Sequence, residues 1–267
     1  AIAKLDKMTV RVLYPDTFKA YAGLSPEGGT TLLQAVSAVN HFHFGANAQR
    51  VGQPVDLSYW DLETLPTTTA NAYYIPKENS MNIFAGYLAD GMMFDENAPI
   101  EENFAGVGDT IGHEMSHAFD DTGAEFDADG QFRNWWTNED KIAFQQRTAE
   151  VKRYFSTLTP YPGAPPMDGA KVTGEAIADI TGMQVLLNVV RDNPQFDYER
   201  FFKAYAETWR LKRTFEREKE VLSTDVHPLA YLRTNVVLMQ FDEFLNTFGV
   251  VEGDGMYLPA DQRILVW

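Results

Sequence analysis

The hydrophobic and polar positions along the chain predict a mainly helical protein with a few short strands. Alternating β-branched residues over Thr9–Leu13 predict one strand, and the segments 71–75 and 81–84, separated by a polar turn, predict a hairpin. Apolar residues at near-helical spacing predict helices over 32–42, 138–158, 201–211 and 216–222. His41 and His43 lie at the end of the first of these helices. Their i,i+2 spacing suits a strand better than a helix, and we interpret them as structural residues.

The most apolar of the predicted helices follows residue 174. From Ala176 to Val190 nearly every side of this helix is apolar, yet two carboxylates lie at its start. Glu175 and Asp179 are four residues apart and therefore share one helical face. Buried charge is costly unless it is paired or bound to a metal. We therefore expect these two carboxylates to have a cationic partner.

A His-Glu-x-x-His motif at residues 113–117 supplies candidates for that partner. On a helix, His113 and His117 point their imidazoles to one side, where they can bind one metal ion, usually zinc. Glu114 lies beside them and could take a proton from a metal-activated water. A catalytic zinc needs a third protein ligand, and Glu175 has the right chemistry for it. Asp179 would then accept the free N–H of a ligand imidazole and fix its tautomer.

Composition and charge narrow the function further. With 267 residues, of which 45% are hydrophobic, the chain can bury a sizeable core, and the Pro-rich break at 160–166 is too short for a domain linker. A net charge of −16 argues against nucleic acid as a partner. The chain has no cysteine, which disfavours a purely structural zinc site and fits a cytoplasmic location, although an exported or cell-surface one stays open. No run of about 18 apolar residues predicts a membrane span.

Several separate motifs resemble, in order, the neprilysin-like zinc metallopeptidases, which include endothelin-converting enzymes and bacterial oligopeptidases. These motifs are Asn-Ala-Tyr-Tyr at 71–74, the block 112–121, Gly-Glu-Ala-Ile-Ala-Asp at 174–179, Asp-Val-His-Pro at 225–228 with Arg233, and Val-Trp at 266–267. The resemblance implies an α+β, mainly helical fold with a thermolysin-like zincin core and a small edge-strand sheet. It also implies a metalloendopeptidase that binds one Zn²⁺ ion per chain and hydrolyses oligopeptides. Without cysteine, the chain resembles the bacterial members.

The resemblance assigns roles outside the zinc motif as well. Asn71 and Ala72 would hold the substrate backbone, although a plain structural hairpin is the alternative. His227, oriented by Asp225, would donate a hydrogen bond to the oxyanion of the transition state. Arg233 would bind a substrate carbonyl group.

Three further residues would line the pocket for the side chain after the scissile bond: Tyr87, Met92 and Trp209. A packed core position is the alternative for Trp209. Residues 83–86 read Ile-Phe-Ala-Gly, where the family usually has Phe-Pro-Ala-Gly. We expect this pocket to accept a large apolar side chain.

Members of the resembled family are longer, with a large helical segment before the catalytic part. We therefore expect residues 1–267 to form a single catalytic domain, the C-terminal part of a longer protein, with a missing N-terminal helical lobe and exposed apolar surface that favours self-association. A zinc-stabilised binding module without catalysis is the main alternative. The run Asp127-x-Asp129-Gly130 is interpreted as an acidic turn rather than a calcium loop. Either Asp120 or Asp121 could support His117.

Overall fold

Helices dominate the chain, as the hydrophobic periodicity predicted. The computed structural model of the protein describes residues 1–16, 24, 30–56, 59–60, 65–89, 91 and 93–267. The helices are α1 (Ile2–Asp6), α2 (Leu32–Gln49), α3 (Ala85–Leu88), α4 (Ile100–Asn103), α5 (Asp109–Ser116), α6 (Asn138–Thr157), α7 (Gly169–Val190), α8 (Tyr198–Thr208), α9 (Phe215–Thr224), α10 (Ala230–Leu238) and α11 (Asp242–Phe248). A π-helical turn, Phe104–Gly108, joins α4 to α5. Among the helices described, none is both long enough and apolar enough to cross a membrane.

A small mixed sheet confirms the predicted strand and hairpin. Its strands are β1 (Thr9–Leu13), β2 (Ala72–Ile75) and β3 (Ser80–Phe84), in the order β1-β3-β2. β2 and β3 are antiparallel, whereas β1 runs parallel to β3. β3 is buried along its whole length because it is the central strand, and β2 is left at an edge of the described sheet.

The turn of the hairpin is held in place by Asn79. This residue has a φ of 47°, in the left-handed region that few non-glycine residues adopt. Its side-chain oxygen accepts a hydrogen bond from the Tyr74 hydroxyl at 2.8 Å, and its amide nitrogen donates to the Lys4 carbonyl at 2.8 Å. The side-chain contacts thus stabilise a backbone conformation that the turn requires.

The central helix α7 packs directly against α5. Both helices have a glycine at the crossing: a Cβ on Gly112 would lie 2.9 Å from the Gly182 carbonyl oxygen, and one on Gly182 would lie 2.7 Å from the His113 nitrogen. Only glycine allows the two backbones to come this close. The contact brings His113 next to the carboxylates of α7.

Lys4 attaches α1 to the loop that follows α5. The Lys4 side chain is buried and its ammonium donates hydrogen bonds to the carbonyls of Ala118, Gly123 and Phe126, at 2.8, 2.7 and 2.6 Å. Burial lowers the pKa of Lys4 to about 8, although Asp120 and Asp127 act in the opposite direction. The sequence analysis had assigned no role to this lysine.

Three helix predictions need correction or comment. His41 and His43 lie inside α2, not in a strand, because a capping box between Thr31 and Gln34 starts a helix that continues to Gln49. α8 ends at Thr208, short of the predicted residue 211, and the following residue closes its last turn. The apolar residues that predicted α2 are largely exposed, and no residue of this helix is buried within the part of the chain that is described.

Candidate active site

Three side-chain atoms converge at the crossing of α5 and α7. The Nε2 atoms of His113 and His117 are 3.0 Å apart, and Glu175 Oε2 lies 3.3 Å from the first and 3.6 Å from the second. Ligand atoms bound tetrahedrally at the usual zinc distances are separated by about 3.4 Å. The spacing therefore fits a single metal ion bound by these three residues.

The outer nitrogen of each imidazole is bound to a carboxylate. His113 Nδ1 lies 2.8 Å from Asp179 Oδ1, and His117 Nδ1 lies 2.6 Å from Asp120 Oδ2. When each Nδ1–H donates to its carboxylate, each Nε2 keeps a lone pair, and the two lone pairs face one another. Glu175 Oε2 is buried and faces the Nε2 atoms of both imidazoles. Two imidazoles and one carboxylate arranged in this way match the donor set of a zinc site.

Of the two neighbouring acids that could support His117, Asp120 is the one that contacts its imidazole. Its second oxygen, Oδ1, accepts hydrogen bonds from the backbone N–H groups of Thr122 and Gly123, at 2.8 and 2.6 Å. These bonds fix the carboxylate while its other oxygen contacts the imidazole. Asp121, the alternative in the sequence, faces Gly174 instead.

The carboxylates change the proton affinity of the cluster. Burial and the neighbouring His117 lower the pKa of His113, but hydrogen bonds to Asp179 and Glu175 outweigh them and raise it to about 9. His117 is also buried, yet Asp120 and Glu175 raise its pKa well above the ordinary value. Although burial opposes the shift, the two histidines hold the pKa of Glu175 far below its ordinary value. The cluster attracts cations strongly, and protons and a metal ion would compete for it.

Arg233 is held by Asp179 and stacks on Trp209. Its Nε donates to Asp179 Oδ2 at 2.8 Å and its Nη2 donates to Oδ1 at 2.6 Å, while the guanidinium lies 3.9 Å from the centre of the Trp209 ring. Asp179 is almost fully buried, and burial alone would raise its pKa, but Arg233 and His113 lower it. This pairing with Arg233, which was not predicted, gives Asp179 a second partner besides His113.

His227 approaches the metal ligands from the loop before α10. Its Nδ1 lies 2.6 Å from Asp225 Oδ1, and the same oxygen accepts the His227 backbone N–H at 3.0 Å. The other ring nitrogen, Nε2, points at the cluster and lies 3.2 Å from Glu175 Oε2. Asp225 is therefore placed to orient the ring, which is the role that the resemblance implied for it.

A cavity of about 670 Å³ joins these groups. The predicted site residues that line it are Asn71, Ala72, Tyr87, His113, Glu114, His117, Glu175, Trp209, His227 and Arg233. Asp179 and Asp225 lie behind it and act through the residues they contact. Met92 lies outside the described residues. The lining residues that were not predicted include Asp109, Thr110 and Thr208.

Comparison with known proteins gives relatives of one kind. The neutral endopeptidase of Lactococcus lactis subsp. lactis (strain IL1403) is 32% identical over the whole chain, and the human endothelin-converting enzyme-like 1 is 30% identical over 93% of it. The chain spans 42% of the first relative and 34% of the second.

The fold of the chain is also similar to those of solved structures. PepO from Lactobacillus rhamnosis HN001 superposes with a TM-score of 0.89 at 34% identity, covering 99% of this chain and 41% of PepO. The Mycobacterium tuberculosis zinc metalloprotease Zmp1, in complex with an inhibitor, superposes with a TM-score of 0.84 at 32% identity, covering 98% of this chain and 42% of Zmp1. The expected mainly helical fold with a small sheet is confirmed. The model of Peptidase family M13 matches residues 71–264, and the chain belongs to that family.

Proposed function

We propose that this chain is the catalytic part of a zinc-dependent metalloendopeptidase that hydrolyses peptide bonds in oligopeptides. One observation carries the proposal: two imidazole Nε2 atoms and a buried carboxylate oxygen converge within 3.6 Å of one another in a cavity that Glu114 also lines. An open site with three protein ligands from histidine and glutamate is typical of catalytic zinc. The relatives named neutral endopeptidase support the same activity.

The residues divide the chemistry among them. Zinc, when held by His113, His117 and Glu175, supplies Lewis-acid activation of water and of the scissile carbonyl. Glu114 accepts the proton of the attacking water and passes it to the leaving amine. Because Nδ1 of His227 is held by Asp225, the ring presents Nε2 to the metal ligands, and from there His227 donates a hydrogen bond to the oxyanion.

The edge strand β2 is the proposed guide for the substrate backbone. Asn71 and Ala72 line the cavity, and the Asn71 side chain accepts the Ala72 backbone N–H at 3.0 Å. An extended peptide can bind along such an edge through main-chain hydrogen bonds, so that many sequences fit. Arg233 lines the same cavity, where its guanidinium can donate to a substrate carbonyl.

The Glu114→Gln substitution tests the proposal. Glutamine keeps the size of the side chain but cannot accept a proton, so kcat should fall by at least about 10²-fold while zinc stays bound. Hydrolysis of a fluorogenic peptide is measured with and without chelator and after zinc is restored, with zinc content determined in parallel. Loss of zinc in the variant would make Glu114 a ligand or a structural support.

The same experiment examines the binding-module alternative. If the zinc-loaded wild type bound peptides but hydrolysed none, while chelation lowered its Tm, zinc would stabilise a binding site only. Since the chain spans less than half of its relatives, a low rate is expected, and a zinc-dependent rate above the Glu114→Gln background is the criterion.

A further inference from the structure

One buried carboxylate in the cavity takes no part in the proposed mechanism. Asp109 begins α5, one turn before His113, and only 6% of its surface is exposed. Its Oδ1 atom has no hydrogen-bond partner in the described part of the chain. Burial, assisted by Asp179, raises the pKa of Asp109 to about 7, against the influence of His113 and Arg233. A buried carboxylate without a partner is costly, and it calls for a ligand.

His113 and Arg233, the two cationic groups that lower the pKa of Asp109, are already paired with another carboxylate. Asp179 receives two hydrogen bonds from Arg233 and contacts Nδ1 of His113. The hydroxyl protons near Asp109 are also used in other hydrogen bonds. The Thr110 hydroxyl lies 2.8 Å from that of Tyr87 and donates to the Gly106 carbonyl at 3.2 Å. With Thr110 donating to Gly106, the Tyr87 hydroxyl donates to Thr110, and neither proton is left for Asp109.

Asp109 lines the same cavity as the residues proposed to hold a substrate side chain, and it is close enough to Tyr87 to add to the rise that burial causes in the pKa of that residue. Thr110, Thr208 and Trp209 also line this cavity, and His113 is one helical turn from Asp109. A peptide whose scissile carbonyl lies at the metal ligands would place a neighbouring side chain here. The rings of Tyr87 and Trp209 can contact its methylene groups, and the carboxylate can meet a charge at its tip.

We propose that this pocket takes a basic side chain, lysine or arginine, directly after the scissile bond, and that Asp109 determines this specificity. The inference rests on the proposed peptidase function. The apolar preference expected from the sequence considered only Tyr87, Met92 and Trp209. With Asp109 in the pocket, an apolar side chain would leave a carboxylate buried and unpaired, whereas an ammonium or guanidinium group would pair with it.

The test uses two peptides that differ only at this position, one with lysine and one with norleucine. Norleucine has the same straight aliphatic chain without the ammonium group, so the pair isolates the charge. Binding to the zinc-loaded Glu114→Gln protein is measured by calorimetry, and wild-type kcat/KM is measured with the cut bond identified by mass spectrometry. We expect lysine to be favoured about 10-fold or more in both, because sites built around a polar partner reject analogues that lack it.

Two variants assign the preference to Asp109. Asp109→Asn keeps the volume and removes the charge, so it should fold and lose most of the lysine preference. Thr208→Val, the matched control in the same cavity, loses the hydroxyl that donates to the Tyr205 carbonyl but keeps the carboxylate and its surroundings, and it should retain the preference. Thermal melts confirm that both variants are folded.

The outcomes separate this inference from the proposed function. Zinc-dependent hydrolysis with equal use of both peptides, or with norleucine preferred, would overturn the inference and leave the peptidase standing. A lysine preference that survives Asp109→Asn would also overturn it, since another group would then be responsible. If neither peptide were bound or cut, both proposals would fail.

Discussion

Asp179→Asn separates two tasks that one carboxylate performs. Asp179 accepts two hydrogen bonds from Arg233 and one from His113 Nδ1. An asparagine oxygen at the Oδ1 position could still accept from both partners, but the charge that supports His113 is lost and the amide nitrogen at the Oδ2 position would face the Arg233 Nε–H, one donor against another. The substitution should therefore weaken the metal site and leave a cation without its counter-charge in the interior.

The loss of metal affinity and the loss of stability can both be estimated from these contacts. Loss of the carboxylate behind a ligand histidine typically lowers metal affinity by about 10–100-fold. Removing one partner of a buried ion pair costs about 3–5 kcal/mol, and we expect about 3 kcal/mol because Arg233 keeps its contact with Trp209. Asp120→Asn is the matched comparison: it affects His117 in the same way, but no arginine depends on it. Its stability loss should be about 1.5 kcal/mol, the value of one charged hydrogen bond.

Zinc affinity is measured by competition with a chromogenic chelator, and stability by urea unfolding of the metal-free protein. The two variants should show similar losses of affinity and a difference of about 1.5 kcal/mol in unfolding free energy. Zinc affinity within twofold of the wild type in Asp179→Asn would refute the assigned contact with His113. Equal stability of the two variants would refute the buried ion pair with Arg233.

Three further predictions concern the cluster itself. Glu175→Ala should lose zinc and the thermal stabilisation that zinc confers, and an unchanged zinc content would place the third ligand elsewhere. His227→Phe should keep zinc and lower kcat by about 10²–10³-fold, because an oxyanion donor acts in the transition state, whereas a change confined to KM would make His227 an ordinary substrate contact. The pKa of His113 is raised from 6.5 to about 9, so its protonation stabilises the metal-free fold below pH 6.5, and that contribution is lost as the pH rises to about 9. The Tm of the metal-free protein should therefore fall over this range while the increase in Tm on adding zinc grows, and a flat response would refute the shift.

Local patterns carried most of what could be predicted about the fold. β1 occupies the residues whose alternation predicted it, although its buried position is Arg11 and the side chains of Val10 and Val12 are exposed. The helical spacing of His113 and His117, and of Glu175 and Asp179, placed two candidate ligand pairs on helix faces before any tertiary contact was known. What the sequence could not give was how α5 and α7 cross, because that depends on Gly112 and Gly182 meeting across the chain.

The contacts of several site residues could not be predicted from local patterns, for the same reason. The choice of Asp120 over Asp121 depends on two backbone N–H groups in the next turn, and the pairing of Asp179 with Arg233 joins residues from separate helices. The position of Asp109 could have been predicted, since it lies four residues before His113 and hence on the same helix face. No local pattern indicated that a carboxylate oxygen of Asp109 would lack a partner among the described residues.

The placement of cations among the buried carboxylates decides what each of them does. Asp120 and Asp179 are paired through both oxygens, so they fix the imidazoles and are not available to a ligand. Glu175 faces the histidines with an oxygen that only a metal ion or protons can satisfy. Asp109 Oδ1 has no hydrogen-bond donor among the described residues, and Asp109 lines the cavity where a substrate side chain would lie. A carboxylate left unpaired in this position lowers stability, so we attribute it to substrate recognition and not to the fold.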